Sequence, residues 1–306
     1  MDASDFEKNE LNCMPRKIVI IGAKGQLGSD LIRVLGKEKQ WMVYPFDHKD
    51  IEIADKNSFV SVFDELKPDS IINTAAFHNV EETEKNPSKA FEVNTIGVRN
   101  LAEYCEERNC TFYTVSTDYV FGLDSTRHTP YRETDVPGPL NIYGNSKLSG
   151  EYAVCSTCSR FYVIRTSGLF GKTGPSGKNG RNFIETMIYL ASQRDTIQVV
   201  NDQIMSPTYT LDLAKQIASF LLIDAYGVYH VSSEGSCTWC EMAKFIFSTL
   251  KINVIVEPVS TSFFPSIVKR PGYSVLDKSH LQSLTRSFMR EWKCMVTDYL
   301  KEKKYL

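Results

Sequence analysis

The sequence predicts an α/β protein built on a doubly wound parallel sheet, with a smaller, mixed C-terminal domain. Apolar, β-branched runs alternate with amphipathic helical segments up to about residue 170, a pattern typical of a parallel sheet with helices on both faces. A glycine-rich turn joins the first run to the first helix. A Gly/Lys-rich loop at 171–182 then interrupts the alternation and marks the start of a different part of the chain.

The first elements are recognised by their apolar spacing. KIVII at 17–21 is a short apolar run with several β-branched residues, as in a strand buried on both faces. In the next segment Leu31, Ile32 and Leu35 recur at helical spacing. WMVYPFD at 41–47 is a second strand that ends in an acid, and the amphipathic helix after it closes at Pro68.

The later elements continue the alternation. A long helix starts at Pro87, because proline is favoured in the first turn, and another starts near Tyr143 after a proline-rich turn. Beyond residue 170 the order is helix, strand, helix and strand, followed by a mixed region. The remaining strands are predicted at 70–77, 111–117, 161–167, 197–200 and 227–233, and the remaining helices at 183–193 and 211–222.

The glycine-rich turn GAKGQLG predicts a dinucleotide site. Gly22, Gly25 and Gly28 allow a tight turn and a close backbone approach to a pyrophosphate, and the helix N-terminus favours negative charge. Asp47, at the end of the second strand, is placed to bind the adenosine ribose hydroxyls. Together with the alternating strands, this turn indicates a Rossmann-type sheet.

These elements divide the chain into two predicted domains. Residues 17–170 form the dinucleotide-binding domain and residues 171–306 mainly a substrate-binding domain, with about 227–233 returning to the first sheet. Residues 1–16 are polar and acidic and lack the features of a secretory signal, so we expect a flexible tail.

Composition excludes several classes of function. The 306 residues are 42% hydrophobic and carry a formal net charge of −2, which indicates neither nucleic-acid binding nor an anionic membrane partner. No apolar run approaches the roughly 18 residues of a membrane-spanning helix. Eight cysteines include two Cys-x-x-Cys pairs, 155–158 and 237–240, which lie far apart in predicted helices. We therefore expect reduced thiols in a cytoplasmic protein and no metal site.

A hydroxyl, a phenol and an ammonium converge at the carboxyl edge of the predicted sheet. Thr117 ends the fourth strand, and Tyr143 and Lys147 share one face of the helix that follows. A neighbouring ammonium favours the phenolate, so we expect Lys147 to lower the pKa of Tyr143. This arrangement predicts a general acid next to a bound dinucleotide.

At this point the sequence resembles the extended short-chain dehydrogenase/reductases, and among them the dTDP-4-dehydrorhamnose reductase family. The matching motifs are specific when taken together and run from about residue 17 to residue 277. They are GAKGQLG, STDYVF, PLNIYGNSK, IRTS, GRNFIETM, NDQIMSPT, YGVYHVSSEG and KRPGYSVLD.

The resemblance implies the reduction of the C4 ketone of a nucleotide-linked 4-keto-6-deoxy sugar by NADPH or NADH. Thr117 and Tyr143 would hydrogen-bond the carbonyl, Tyr143 would protonate the alkoxide, and Lys147 would hold the nicotinamide ribose. The implied cofactor contacts also include Gly22, Gly25, Gln26, Leu27, Gly28, Asp47, Glu52, Ile53, Ala75 and Ala76. Beyond Thr117, the implied substrate contacts are His78, Val80, Asn182, Gln203 and Arg270.

Five of these residues keep a second interpretation. Thr117 is also explained as the cap of the next turn, and Asp47 as a plain turn residue. Asn182 is equally well explained as a helix N-cap, Gln203 as a turn residue, and Arg270 as a solvated loop charge rather than a diphosphate clamp. For the cofactor, Asp47 favours NADH because a carboxylate repels a 2′-phosphate, whereas the neighbouring His48 and Lys49 offset that repulsion. We therefore expect use of both cofactors.

Two departures from the family motifs leave the sugar open. Gly168 stands where related enzymes carry a tryptophan that packs on the sugar, and His78 stands where they have a small hydroxyl residue. Phe170 and Phe77 are the nearest aromatic residues that could cover the sugar instead. A different 4-keto-6-deoxy sugar, or one with an acetamido group, is an alternative to dTDP-4-dehydro-L-rhamnose.

Other questions remain open at the level of sequence. The regulatory β subunit of methionine adenosyltransferase resembles this fold, which makes a non-catalytic dinucleotide-binding subunit the alternative function. Asp30 lies where related enzymes have a glutamate implicated in magnesium-bridged dimers, but one carboxylate cannot hold magnesium unaided. Neither a magnesium requirement nor a homodimer is decided by the sequence.

Overall fold

The computed structural model describes residues 14–174 and 180–306. Most of the predicted tail, up to residue 13, lies outside the described residues, as do residues 175–179 of the predicted Gly/Lys-rich loop. Arg16, which was predicted to belong to the tail, instead begins the first strand. No helix in the described parts of the chain is long and apolar enough to cross a membrane.

A six-stranded parallel sheet forms the centre of the molecule, as predicted. Its strands follow the order β2-β1-β3-β4-β5-β8, and every neighbouring pair is parallel. The strands are β1 Arg16–Ile21, β2 Trp41–Phe46, β3 Ser70–Asn73, β4 Thr111–Thr117, β5 Phe161–Thr166 and β8 Gly227–His230.

The short strands outside this sheet form two pairs. β6 (Thr196–Val200) pairs in parallel with β10 (Ile255–Val259), and β7 (Ile204–Met205) pairs antiparallel with β9 (Cys237–Thr238). Cys237 therefore lies on a strand rather than in a helix as predicted. β8 joins the edge of the central sheet beside β5. The division into two domains at residue 170 stays a prediction.

The helices connect the strands and cover both faces of the sheet. They are α1 Gln26–Leu35, α2 Val60–Leu66, α3 Val80–Lys85, α4 Pro87–Phe91, α5 Val98–Glu107, α6 Ile142–Thr157, α7 Phe183–Ala191, α8 Thr210–Phe220, α9 Trp239–Leu250, α10 Ser279–Leu284 and α11 Trp292–Glu302. Single 3₁₀ turns occur at Lys56–Ser58, Asp118–Val120 and Thr261–Phe263.

The alternation of side chains along the strands builds two apolar cores. On β1, Ile18 and Ile20 point into a core that also contains buried residues of α1 and α8. Val19 and Ile21 point to the opposite face, where residues of α2, α5 and α6 pack. All four side chains are at most 2% exposed, so the central strand is buried on both faces, as its composition predicted.

The predicted long helix from Pro87 is interrupted by a π-helical stretch, Glu92–Gly97, between α4 and α5. Gly97 packs so closely on Ile53 that a Cβ would lie 2.5 Å from that side chain. Within the stretch, the Asn94 amide bonds the backbone N–H and carbonyl of Phe77 at 2.9 and 3.0 Å. The irregular turn therefore fixes the loop that follows β3.

Candidate active site

A large cavity lies at the carboxyl ends of β1, β3, β4 and β5. The chain passes from β1 to β2 on one side of β1 and then crosses to β3 on the other side, and ligands of open parallel sheets bind at such a reversal. The cavity volume is about 940 Å³, at the upper end of the range for small-molecule sites.

Thr117, Tyr143 and Lys147 meet in this cavity. Thr117 ends β4 and caps the 3₁₀ turn after it, where its hydroxyl accepts a hydrogen bond from the Tyr119 N–H at 3.2 Å. Tyr143 and Lys147 lie one turn apart on α6. Asn141 caps α6 by accepting from the Gly144 N–H at 2.8 Å, so the start of this helix is defined by the motif itself.

The Tyr143 phenol is held in its protonated form. Burial raises the pKa of Tyr143 to about 12, the Asp118 carboxyl adds to the rise, and a hydrogen bond with Thr117 opposes it. This direction is opposite to the predicted lowering by Lys147, because burial outweighs any effect of the ammonium. A phenol that keeps its proton well above neutral pH suits a group that must donate it only when an alkoxide forms.

Lys147 is buried, with 4% of its surface exposed. Its ammonium donates a hydrogen bond to the Val115 carbonyl at 2.7 Å. Burial lowers the pKa of Lys147 to about 8, and the Glu151 carboxylate opposes this change. The ammonium is therefore charged at neutral pH and held at a defined place beside the end of β4.

The glycine turn after β1 fits the approach of a dinucleotide. Gly22 has φ +80, and a Cβ there would lie 2.6 Å from Thr74 Oγ1 and 2.8 Å from the Ala75 N. Gly25 caps α1 without a side-chain bond, which leaves the helix N-terminus directed at the cavity. Gly28 does not line the cavity: a side chain there would collide with the backbone of Gly22, so it permits the packing of α1 on the turn.

Asp47 lies at the end of β2 on the wall of the cavity, as predicted. Its carboxylate accepts a bond from the Lys49 N–H at 2.7 Å and pairs with the Lys24 ammonium. These contacts hold the pKa of Asp47 below its usual value. Sequence reasoning missed Lys24, which lies inside the glycine motif, because no local pattern shows which acid it faces.

The other predicted cofactor residues also line this cavity. Gln26 additionally orders the opposite wall, since its side-chain oxygen accepts a bond from the Gly171 N–H at 3.1 Å. Ile53 is buried, whereas Glu52 is exposed. The predicted cofactor residues on the wall are Gly22, Gly25, Gln26, Leu27, Asp47, Glu52, Ile53, Ala75, Ala76, Tyr143 and Lys147.

The predicted substrate residues divide into two groups. His78, Val80, Asn182 and Gln203 line the cavity, whereas Arg270 does not. The Arg270 guanidinium pairs with Glu81. His78 is exposed at the rim, with its ring nitrogen Nδ1 3.4 Å from the Ala76 carbonyl.

Two of these side chains have structural duties. Asn182 caps α7 in a capping box with Glu185 and donates to the Tyr299 hydroxyl at 2.8 Å, which is the N-cap role that its position allowed. Gln203 donates to Thr261 Oγ1 at 2.9 Å and accepts from the Trp239 indole N–H at 3.2 Å.

Gly168 adopts φ +53, in the region that favours glycine. A Cβ on it would lie 3.1 Å from Met205 Sδ and 3.1 Å from Pro207 Cα, so neighbouring groups occupy the space beside it. Phe170 lines the cavity but is 1% exposed and stacks on Tyr209 in the core. Phe77 lines the cavity and is half-buried.

An aromatic wall that sequence reasoning missed lies at the far end of the cavity. Trp239 and Phe183 both line it, with ring centroids 4.7 Å apart, and Met205 and Met242 lie on the same wall. Trp239 lies in the CTWC motif, and the sequence prediction used only the cysteines of that motif. Its pairing with Phe183 depends on α7 and α9 meeting in space, which no local pattern indicates.

Asp118 is a second missed residue of the cavity. It is buried, and its carboxyl accepts bonds from Ser167 at 2.7 Å and Ser274 at 2.6 Å. Burial raises its pKa. The carboxyl thus ties β4 to the segments after β5 and β10, directly beside Thr117.

The structure offers no assembled metal site at Asp30. The carboxyl is buried in α1 and accepts a hydrogen bond from Thr210 at 2.6 Å, and burial raises its pKa. Across residues 14–174 and 180–306, no group of three or more His, Cys, Asp or Glu side chains is placed to hold a metal ion.

Comparison with known proteins identifies relatives over nearly the whole chain. A family model described as "RmlD substrate binding domain" matches residues 16–305. A dTDP-4-dehydrorhamnose reductase of Aggregatibacter actinomycetemcomitans is 36% identical over 87% of this chain and 92% of its own. A dTDP-4-keto-6-deoxy-D-glucose reductase of Streptomyces niveus is 35% identical over 93% of this chain and 96% of its own.

A solved structure shows the same fold with a nucleotide bound. The crystal structure of dTDP-4-dehydrorhamnose reductase from Bacillus anthracis in complex with NADP has a TM-score of 0.89 and 39% identity, and the match covers 94% of this chain and all of that one. The likeness therefore extends over both the sheet and the C-terminal segments that complete the cavity.

Proposed function

Because this chain belongs to the RmlD family of extended short-chain dehydrogenase/reductases, and is an NAD(P)H-dependent oxidoreductase, we propose that it reduces the C4 ketone of a dTDP-linked 4-keto-6-deoxy sugar. The preferred substrate is dTDP-4-dehydro-L-rhamnose, which gives dTDP-L-rhamnose. The observation that carries the proposal is the meeting of Thr117, Tyr143 and Lys147 at the carboxyl edge of the sheet, in the cavity that the glycine turn enters.

The residues of the cavity supply positioning and a proton. The bound nicotinamide supplies the hydride. Thr117 and Tyr143 would donate hydrogen bonds to the ketone oxygen and so stabilise the charge that develops on it. Tyr143 would then transfer its phenolic proton to that oxygen, while the Lys147 ammonium stabilises the phenolate left behind and holds the ribose hydroxyls.

The cofactor end of the cavity supports use of both NADH and NADPH. Asp47 offers a carboxylate to the ribose hydroxyls, which suits NADH. Lys24 pairs with that carboxylate and is itself 78% exposed, so its ammonium can meet a 2′-phosphate. We propose Lys24, rather than His48 or Lys49, as the group that offsets the repulsion from Asp47.

The choice of sugar depends on the aromatic wall formed by Trp239 and Phe183. Trp239 and Phe183 offer the apolar surface that Gly168 lacks, which supports a 6-deoxy sugar. A relative named for a dTDP-4-keto-6-deoxy-D-glucose makes another 4-keto epimer the second candidate. A purely regulatory subunit is disfavoured, because it has no need of a buried phenol, ammonium and hydroxyl in one cavity.

A substrate panel tests the proposal. Purified protein is mixed with NADPH or NADH and with dTDP-4-dehydro-L-rhamnose, dTDP-4-keto-6-deoxy-D-glucose or an acetamido 4-keto sugar, and the loss of absorbance at the reduced nicotinamide band is followed. We expect turnover of the rhamnose precursor with both cofactors. Binding of NADPH without turnover of any of these sugars would contradict the proposal and favour the regulatory alternative.

A cytoplasmic location belongs to the same proposal. The described cysteines, which exclude Cys13, are all free thiols, as expected in a reducing compartment. A homodimer and a magnesium requirement stay predictions, which gel filtration and activity assays with a chelator would test.

A further inference from the structure

A buried polar unit lies directly beneath the proposed catalytic residues. Arg165 of β5 pairs with Glu151 of α6 through two parallel hydrogen bonds, from Nε to Oε1 at 3.1 Å and from Nη2 to Oε2 at 2.7 Å, and Nε also lies 3.0 Å from Oε2. Oε1 accepts a further hydrogen bond from the Ser116 hydroxyl. Glu151, Arg165 and Ser116 are each at most 5% exposed.

This unit touches both elements that carry the catalytic groups. Glu151 follows Lys147 by one turn of α6 and Tyr143 by two, so all three lie on one face of the helix. Ser116 lies between Val115, whose carbonyl accepts the Lys147 ammonium at 2.7 Å, and Thr117. The Ser116–Glu151 bond therefore ties the end of β4 to α6. The residue before Ser116 contacts Lys147, and the residue after it is Thr117.

The ionisable groups near Lys147 include both a negative and a positive charge. Glu151 is the neighbouring charge that favours the ammonium against its burial. Arg165, which pairs with Glu151, lies 3.3 Å from His230 Nε2 on β8, and burial together with Arg165 lowers the pKa of His230 to about 3, so that the imidazole is neutral. On the cavity side are Tyr143 and the carboxyl of Asp118.

Stability alone does not account for this arrangement. A buried ion pair is a weak source of stability, because removing both charges from water offsets most of their attraction. Breaking the pair by removing one partner is costly for the same reason. Its value in this fold lies in where it holds the end of β4 and in the negative charge that it places behind Lys147.

We propose that Glu151 is a positioning residue for the reduction: its carboxylate fixes the Val115–Thr117 end of β4 against α6 and supplies the negative charge that faces the Lys147 ammonium. This inference rests on the proposed function, since it assigns Glu151 a part in preparing the same site. Glu151 is not among the residues that line the cavity, so it acts through Ser116 and Lys147.

The test is the pH dependence of NADPH binding, followed by nucleotide fluorescence between pH 6.5 and 9.5. In the wild type, affinity should fall as pH rises through the region in which Lys147 loses its proton. We call this fall in affinity at high pH the alkaline limb. Glu151→Gln should move the alkaline limb to a pH lower by about one unit, the size of shift that a single neighbouring charge produces. The same variant should lower kcat/KM at least tenfold near neutral pH. An alkaline limb that coincides with that of the wild type would overturn the proposal.

Two further variants separate charge from shape. Glu151→Asp keeps the charge and shortens the reach to Ser116, so it should keep the wild-type limb while kcat falls. The double variant Glu151→Gln/Arg165→Met removes both charges and leaves no buried arginine unpaired, and its limb should stay below that of the wild type. If the aspartate variant shifts as far as the glutamine variant, the charge at residue 151 does not set the limb. If the double variant regains wild-type behaviour, Glu151 serves only to neutralise Arg165. Either result would show that the proposal is wrong.

Ser116→Ala tests the link to β4 by itself. It leaves both charges in place, so the limb should not move while kcat falls several-fold; an unchanged kcat would remove the positioning role through Ser116. The binding assay needs no sugar. If Glu151→Gln shows the shifted limb while the wild type reduces no sugar, the proposed function is wrong, but the charge of Glu151 still governs nucleotide binding through Lys147.

Discussion

Replacing Gly168 by tryptophan tests whether the aromatic residue of the related enzymes can simply be restored. The structure predicts that it cannot. Gly168 has φ +53, where an L-residue costs about 1–2 kcal/mol. Its Cβ would lie 3.1 Å from both Met205 Sδ and Pro207 Cα, and overpacking of this kind costs about 1–3 kcal/mol.

The expected loss is therefore roughly 2–5 kcal/mol of the free energy of unfolding, from the sum of the two terms. Total stabilities are about 5–15 kcal/mol, so this loss should be plain in urea denaturation. The same strain should displace Met205 from the aromatic wall, so kcat/KM for dTDP-4-dehydro-L-rhamnose should fall rather than rise.

Gly180 provides a matched control. It has φ +70, and nothing lies within 4 Å of a Cβ built on it. Gly180→Ala should therefore show only the loss of stability that comes from placing an L-residue at a positive φ. Gly168→Ala should add the contacts with Met205 and Pro207 and lose more stability than Gly180→Ala. A Gly168→Trp protein that is as stable as wild type and more efficient on the rhamnose precursor would refute the reasoning. It would show that Met205 and Pro207 can move to accommodate the indole ring.

The remaining predictions concern the proton donor, the ammonium, the aromatic wall and the cofactor. Tyr143→Phe should lower kcat by about 10²–10⁴-fold with NADPH affinity nearly unchanged, and more than about half of normal kcat would exclude Tyr143 as the acid. In the wild type, kcat/KM should fall as pH rises through about 8, because Lys147 loses its proton there while Tyr143 stays protonated; a fall only above pH 10 would contradict this. Trp239→Ala should raise the sugar KM roughly 10–100-fold, which corresponds to about 1.5–3 kcal/mol of lost apolar contact, while Trp239→Phe, which keeps a ring but loses the bond to Gln203, should lose much less. Lys24→Ala should weaken NADPH by about two- to fivefold, the range of an exposed ion pair, and leave NADH unaffected or improved; equal losses for both cofactors would remove Lys24 from 2′-phosphate recognition.

The sheet and the catalytic trio could be predicted because their determinants are local. The apolar composition around Val19 and Ile20 predicts a strand that is buried on both faces. Because parallel strands align their carboxyl ends, Thr117 is then expected to lie near the glycine turn. The spacing of Tyr143 and Lys147 is a property of one helix. For these residues, the correct assignment of the strand or helix is almost sufficient to predict their place in the site.

Other parts of the site depend on burial and on long-range packing, which the sequence does not display. The pKa of Tyr143 rises because the phenol is buried, and this effect is larger than the lowering that the nearby Lys147 led us to expect. Trp239 reaches the cavity only because the chain returns through β8 and brings α9 against α7. The π-helical stretch ends at Gly97, which packs against Ile53 from a different part of the chain.

The place of β8 at the edge of the sheet has a consequence for biosynthesis. Five of the six central strands are complete once residue 166 has been made, yet α8, which shares the core of Tyr113 and Tyr162 with α1, ends at Phe220. In a nascent chain halted between these points α8 is incomplete, and the stacked rings of Tyr113 and Tyr162 lack the cover that Phe220 later provides. Since domains fold from the N-terminus as they are synthesised, this intermediate is the stage at which the chain most needs protection from aggregation, and the C-terminal segment completes the sheet as well as the cavity.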